Sequence, residues 1–157
     1  MVKPIPEGYH SITAHLVVNN ATEAIEFYKH AFGAVEDYRY NGPDNKSILY
    51  VKLIIGDSPI LLSDEFPNTE GIGCRSPKSI GGSAVTIHLF TENVDKIFNQ
   101  AISAGATTIF PITDMFWGDR YGQLMDPYGH FWSIATHKED LSNEEIQKRG
   151  EAACKDM

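Results

Sequence analysis

The second half of this chain repeats the first, and that constrains its fold more than any single motif does. His15 and His88 stand 73 residues apart, Gly33 and Gly105 72, and Gly56 and Gly129 73. Around these anchors one order of patterns recurs. In the first copy, Ile12, Ala14, Leu16 and Val18 alternate with Thr13, His15 and Val17, which predicts a strand. Asn20 with Glu23 three residues later forms a capping box. Ala21, Ile25, Tyr28 and Phe32 then recur at helical spacing until Gly33 ends the helix. Strand-like runs follow at Val35–Tyr40, Ile48–Ile55 and Ile60–Ser63, separated by turn-forming residues at 41–44 and 56–59. The second copy offers a strand over Ala84–Thr91 and a helix from about Asn93 to Gly105. Its runs at Thr107–Ile112, Tyr121–Met125 and Phe131–Thr136 complete the set, the last two joined by the turn Asp126-Pro127-Tyr128-Gly129. Matching elements at nearly one offset indicate an internal duplication of a β-α-β-β-β unit.

The repeat divides the chain into a first module over 9–64 and a second over 84–137. Between them, 65–83 is rich in Gly, Pro, Ser and Asn and reads as a flexible linker. Residues 138–157 form a tail in which Ser142 and Glu145 make a capping box, with Leu141 and Ile146 as its hydrophobic staple. Beyond Ile146 this helix is polar, and Gly150 weakens it by about 1 kcal/mol, so it is expected to pack loosely.

With 42% apolar and 22% charged residues among 157, the chain can bury a core. Its 21 acidic and 13 basic residues give a net charge of −8, which repels phosphate backbones and argues against a nucleic-acid partner. No apolar run approaches the roughly 20 residues that span a bilayer, and the N-terminus lacks the apolar stretch of a signal peptide. Cys74 and Cys154 are far apart without a CxxC, which predicts free thiols in a reducing cytoplasm, a Cys74–Cys154 bridge being the alternative. P-loop, dinucleotide-binding, nucleophile-elbow and HExxH patterns are all missing from the sequence.

Three stretches resemble the vicinal oxygen chelate superfamily (glyoxalase I, bleomycin-resistance proteins and extradiol dioxygenases), and its PhnB-like branch most of all. These are His15-Leu16-Val17-Val18 through Ala24-Ile25-Glu26-Phe27-Tyr28 to Gly33-Ala34, then Ile55-Gly56-Asp57-Ser58 with Leu62-Ser63-Asp64-Glu65. The third runs from Phe116-Trp117-Gly118-Asp119-Arg120-Tyr121-Gly122 through Asp126-Pro127-Tyr128-Gly129-His130-Phe131-Trp132. The resemblance implies an α+β fold of two modules whose curved mixed sheets form a cavity, with the helices on the outer face. Ile12, Ala14, Leu16, Val85, Ile87 and Leu89 would then cover the helices, leaving Thr13, His15, Val17, Thr86, His88 and Phe90 facing the cavity. It also implies a homodimer. Some relatives of this branch carry a methyltransferase-style name, but no S-adenosylmethionine-binding glycine motif follows the first strand here.

Metal-dependent members place His, Gln or Glu ligands on the first and last strands of each module, where a divalent ion polarises substrate oxygens. Carried over by register, those positions are Thr13 and Thr86, Ser133, and Ile60 as the mate of Ser133. None of the four is a good ligand for a divalent transition metal. His15 and His88 lie two residues further along the same face. They suggest a shifted metal site completed by Asp64, Glu65 or His137, a pair of hydrogen-bonded pocket histidines, or acid/base groups. Trp117, Arg120 and Tyr121 read either as a loop closing the pocket, with Arg120 on an anionic substrate group, or as a turn with an Asp119–Arg120 pair. Phe131 and Ser133 complete the expected pocket wall, while Trp132 belongs to the core. Two functions remain open: a glyoxalase-like lyase or isomerase using His15 and His88, and a protein that binds and sequesters a small aromatic or cationic molecule without chemistry.

Overall fold

Each module begins with the same local chemistry. Asn20 and Asn93 sit just before helices, and their side-chain oxygens accept the amides of Glu23 (3.2 Å) and Lys96 (3.0 Å). Gly33, at φ 68°, supplies the left-handed residue that closes the first helix. The computed structural model describes residues 1–66 and 75–155. Its elements run β1 (His15–Val18), α1 (Ala21–Phe32), β2 (Val35–Asn41), β3 (Ile48–Ile55), β4 (Ser58–Asp64), α2 (Pro77–Ile80), β5 (Thr86–Phe90), α3 (Val94–Ala104), β6 (Thr107–Asp114), β7 (Asp119–Met125), β8 (Phe131–His137) and α4 (Asn143–Lys155). The expected α+β duplication is therefore observed, as two four-stranded mixed sheets ordered β1-β4-β3-β2 and β5-β8-β7-β6.

In each sheet the first strand pairs in parallel with the last, and the other neighbours are antiparallel. Neither sheet closes on itself. One face of each carries its helix, and α1 and α3 also pack on each other, so the modules meet through their helix layers. The Gln100 amide crosses this seam to the carbonyls of His30 (2.7 Å) and Ala31 (3.1 Å). A ring cluster of Phe27, Tyr28, Phe32, Tyr128 and Trp132 fills the space beneath.

At the centre of that cluster is a group the sequence reading treated only as part of a turn. Asp126 is 1% exposed. One carboxylate oxygen accepts the Tyr28 hydroxyl (2.5 Å) and the Trp132 indole N–H (3.0 Å). The other accepts the amides of Tyr128 (2.9 Å) and His130 (3.0 Å). A buried carboxylate is tolerable only when its lone pairs are filled this way. Burial and the Asp126 charge push the Tyr28 phenol well above its ordinary pKa, so it stays a donor.

Several sequence expectations are corrected. β1 starts at His15 rather than Ile12, which is 90% exposed and covers no helix; Val85, 67% exposed, likewise lies outside β5. The repeat offset slips by one residue between strands. His15 pairs with Leu61 and His88 with Ser133, so Leu61, not Ile60, is the mate of Ser133, and Ile60 faces the core. The same slip makes Thr136 the mate of Asp64: Asp64 accepts the first amide of α1 (Ala21, 2.7 Å) and Thr136 that of α3 (Val94, 2.8 Å). The linker is structured towards its end, where Ser76 caps α2; residues 67–74, including Cys74, lie outside the described residues. Gly150 is more than a weak point in α4, because a Cβ there would meet the Phe116 ring at 3.0 Å.

Candidate functional site on the concave faces

Strand alternation decides which side chains share the uncovered face of the second sheet. Register places His88 beside Ser133, Ser133 beside Gln123, and Phe90 beside Ala135, which pairs with Tyr121. The β6–β7 pairing adds Thr113 opposite Tyr121. His88 Nδ1 lies 2.6 Å from the Ser133 hydroxyl, a short bond that fixes the imidazole. Phe90 meets the ring edge-on at 4.5 Å, and Tyr121 lies nearly parallel to it at 6.1 Å. Phe110 and Trp117 flank Tyr121 at 6.2 and 5.4 Å. The Tyr121 hydroxyl accepts the Gln123 amide at 2.7 Å. The result is a curved aromatic wall with one imidazole at its centre; Ser133 beneath it is buried, while His88 and Phe90 are exposed.

On the twin face of the first sheet Leu61 takes the place of Ser133, and His15 instead reaches diagonally, its Nε2 3.1 Å from the Ser63 hydroxyl. Burial lowers the His15 pKa from its ordinary value and keeps that ring neutral. The rest of the face is occupied differently. Lys52 pairs with Asp37 at 2.9 Å and lies 4.5 Å over the Tyr9 ring. Tyr9 in turn joins its hydroxyl to that of Tyr50 at 3.0 Å. Tyr9 therefore covers the Lys52–Tyr50 part of the first face, leaving His15, Tyr38 and Tyr40 exposed, and the second face has no such cover among the described residues.

The other expected residues fall as follows. Thr86 and Phe131 begin β5 and β8, paired with each other on the concave face. Thr13 precedes β1, and its buried hydroxyl has no hydrogen-bond partner among the described residues. Trp117 sits in the β6–β7 turn and donates its indole N–H to Asp119 (3.0 Å). Arg120 is turned away: alternation opposes it to Tyr121, and its guanidinium donates two hydrogen bonds to the Asp95 carboxylate on α3 (2.8 Å each) and a third to Asp114 (3.1 Å). Asp119 is not its partner; that carboxylate also takes His137 Nδ1 at 2.7 Å, whose Nε2 lies 2.9 Å from Asp140. These two carboxylates raise the His137 pKa. The alternation of β7 could have signalled the orientation of Arg120; nothing in the sequence signalled Asp126.

Among the described residues, no three His, Cys, Asp or Glu side chains converge to hold an ion. Asp64 is engaged with the amides of Ala21 and Ile48, Glu65 with Ser76 and Ser79, and His137 with Asp119 and Asp140. The shifted set considered from sequence is thus not assembled among the described residues.

Known proteins share this architecture. The uncharacterized protein Rv0887c of Mycobacterium tuberculosis is 42% identical over 137 residues, covering 87% of this chain and 80% of that one. The structure of the Arabidopsis thaliana At5g48480 product superposes with TM-score 0.63 at 27% identity, covering 81% and 98% of the two chains. The Bacillus cereus PhnB protein, described as a putative 3-demethylubiquinone-9 3-methyltransferase, superposes with TM-score 0.62 at 18% identity over 81% and 99%, which shows a shared fold. The sequence profile of one family matches residues 9–134, four-fifths of the length and both modules. With the duplicated βαβββ units now seen directly, the chain belongs to the Glyoxalase/Bleomycin resistance protein/Dioxygenase superfamily.

Proposed function

We propose that the protein binds a small, flat organic molecule on the concave face of its second module. The observation that carries this reading is the aromatic wall of His88, Phe90, Phe110 and Tyr121 on a face that no other described part of the chain covers. Stacking against such rings contributes about 0.5–1.5 kcal/mol per contact beyond area burial. Ser133 and the Gln123–Tyr121 pair supply the few polar groups that orient a ligand in an otherwise apolar site. Thr86 and Phe131 extend the wall along β5 and β8, and Trp117 closes its end. Arg120 is better read as a brace between β7 and α3 than as a substrate ligand.

Phe90, Phe110 and Ile109 are exposed on this sheet, as Val35, Tyr38 and Tyr40 are on the other. A homodimer in which a second copy covers these side chains fits the exposure. Cytoplasmic residence fits the absence from the sequence of a cysteine framework.

A second reading is an acid/base catalyst of the glyoxalase-like lyase or isomerase kind, with His88 as the proton-transfer group. The 2.6 Å bond to Ser133 supports it, because it engages Nδ1 and leaves Nε2 without a partner among the described residues. His15, whose pKa burial lowers, is the weaker candidate. Ligand-observed NMR against a panel of small aromatic acids, amines and neutral heterocycles tests both readings. Binding that survives His15→Ala but is lost in His88→Ala and Tyr121→Ala supports the site. A ligand that is also converted, with conversion lost in a folded His88→Ala variant, selects the catalytic reading; binding unaffected by both second-module substitutions refutes the site.

A further inference from the structure

The duplication makes two equivalent junctions between modules, and only one of them is filled. β1 and β5 are the inner edge strands of their sheets. The Val18 carbonyl faces β4 and accepts the Glu65 amide, so by alternation Val17 faces the open edge. There its carbonyl accepts Nε2–H of His130, which reaches over at 2.8 Å from the β7–β8 turn of the other module.

The second module repeats the arrangement as far as the strand. The Thr91 amide pairs with Ala135, so Phe90, 73 residues after Val17, presents its N–H and C=O to the open edge. The opposing turn, between β3 and β4, has no histidine. Counting from Gly56 and Gly129, the place of His130 falls to Asp57; counting from the slipped β4 register, it falls to Ser58. Asp57 accepts the Ser58 hydroxyl at 2.8 Å and has no proton to give a carbonyl. No donor among the described residues reaches the Phe90 carbonyl. In place of the missing ring is a crevice of about 300 Å³, lined by Ile60, Ile87, Leu89 and Trp132 and bordered by Asp57, His88 and Phe90.

We infer that this crevice is a second small-molecule site; His88 and Phe90 border both it and the concave face, and the Asp57 turn sets it apart. Its ligand is a flat, protonated nitrogen heterocycle of the imidazolium or aminobenzimidazolium kind. One ring N–H would meet the Phe90 carbonyl as His130 meets that of Val17. The other would meet the Asp57 carboxylate, and the ring would lie against Ile87 and Leu89. The crevice volume is at the lower end of the ~300–1,000 Å³ usual for ligand pockets, which suits a fragment of this size.

The probe is 2-aminobenzimidazole, titrated into the full-length protein and followed by amide chemical shifts. Saturable shifts at Gly56, Asp57, Leu89 and Phe90 are expected. Asp57→Asn should weaken binding by about tenfold, since a charge-assisted bond becomes a neutral one. Asp57→His, which offers the turn its own imidazole, should abolish binding. His130→Ala should open the twin junction and add a second set of shifts around Val17 and Gly129. Both Asp57 variants alter an exposed turn and leave the core intact. Shifts confined to the His88–Tyr121 face, no saturation at millimolar probe, or affinity unchanged in both Asp57 variants would each overturn the inference.

Discussion

Removing the Asp126 carboxylate should cost this protein a large part of its stability. The group is 1% exposed and accepts four hydrogen bonds, from Tyr28, Trp132 and two amides of its own turn. Asp126→Ala leaves buried donors without partners. Each buried neutral donor stranded in this way costs about 1–3 kcal/mol, set against a total of about 5–15 kcal/mol for a typical domain. Tyr28→Phe removes one donor and leaves the acceptor with three, at a cost of about 1.5–3 kcal/mol for a bond to a charged group. Because the phenol and the carboxylate act on each other, the double variant should be less destabilised than the sum of the singles, by about 1–3 kcal/mol. Urea unfolding followed by far-ultraviolet circular dichroism and by tryptophan fluorescence measures all three. Tyr28 comes from the first module and Asp126 from the second, so the variants should also loosen the coupling between modules and separate the two probes' transitions. An Asp126→Ala protein within about 1 kcal/mol of the parent, or strictly additive costs, would refute this reading.

Other expectations follow from the same geometry. Histidine ring titrations by proton NMR should place His15 below and His137 above the ordinary value of 6.5. The sign for stability is opposite in the two cases: the His15 contribution is lost as pH falls below 6.5 through its lowered pKa, and the His137 contribution is lost as pH rises through its raised one. Gly150→Ala should fail to deliver the ~1 kcal/mol that alanine normally adds to a helix, because its Cβ would press on Phe116 at 3.0 Å; a full gain in the unfolding midpoint would contradict that contact. Elemental mass spectrometry after separate supplementation with zinc, nickel, manganese and iron(II) should find no stoichiometric metal. Stoichiometric metal lost in His88→Ala would instead mean that a second copy supplies the missing donors.

Much of this architecture is legible in the sequence because it rests on local rules. Asn20, Gly33, Asn93 and Gly105 mark helix ends through bonds to residues within four positions, and period-two alternation marks the strands. The duplicated fold follows once the repeat is recognised. What the sequence conceals depends on partners distant along the chain. The role of Asp126 needs Tyr28, 98 positions away, and the orientation of Arg120 needs Asp95 on a different element. The one-residue slip that exchanges Ile60 for Leu61 is invisible because both are apolar and each fits either face of a strand. Lys52 looks solvent-seeking until Tyr9, from a segment without periodicity, is found over it.

The most direct test of the proposed site is a crystallographic soak of the full-length protein with the aromatic compounds that bind in solution. The account predicts density stacked on the wall formed by His88, Phe90 and Tyr121, with Tyr9 still over Lys52 on the first-module face. Ligands found on the His15 face with Tyr9 displaced, and none beside His88, would contradict it.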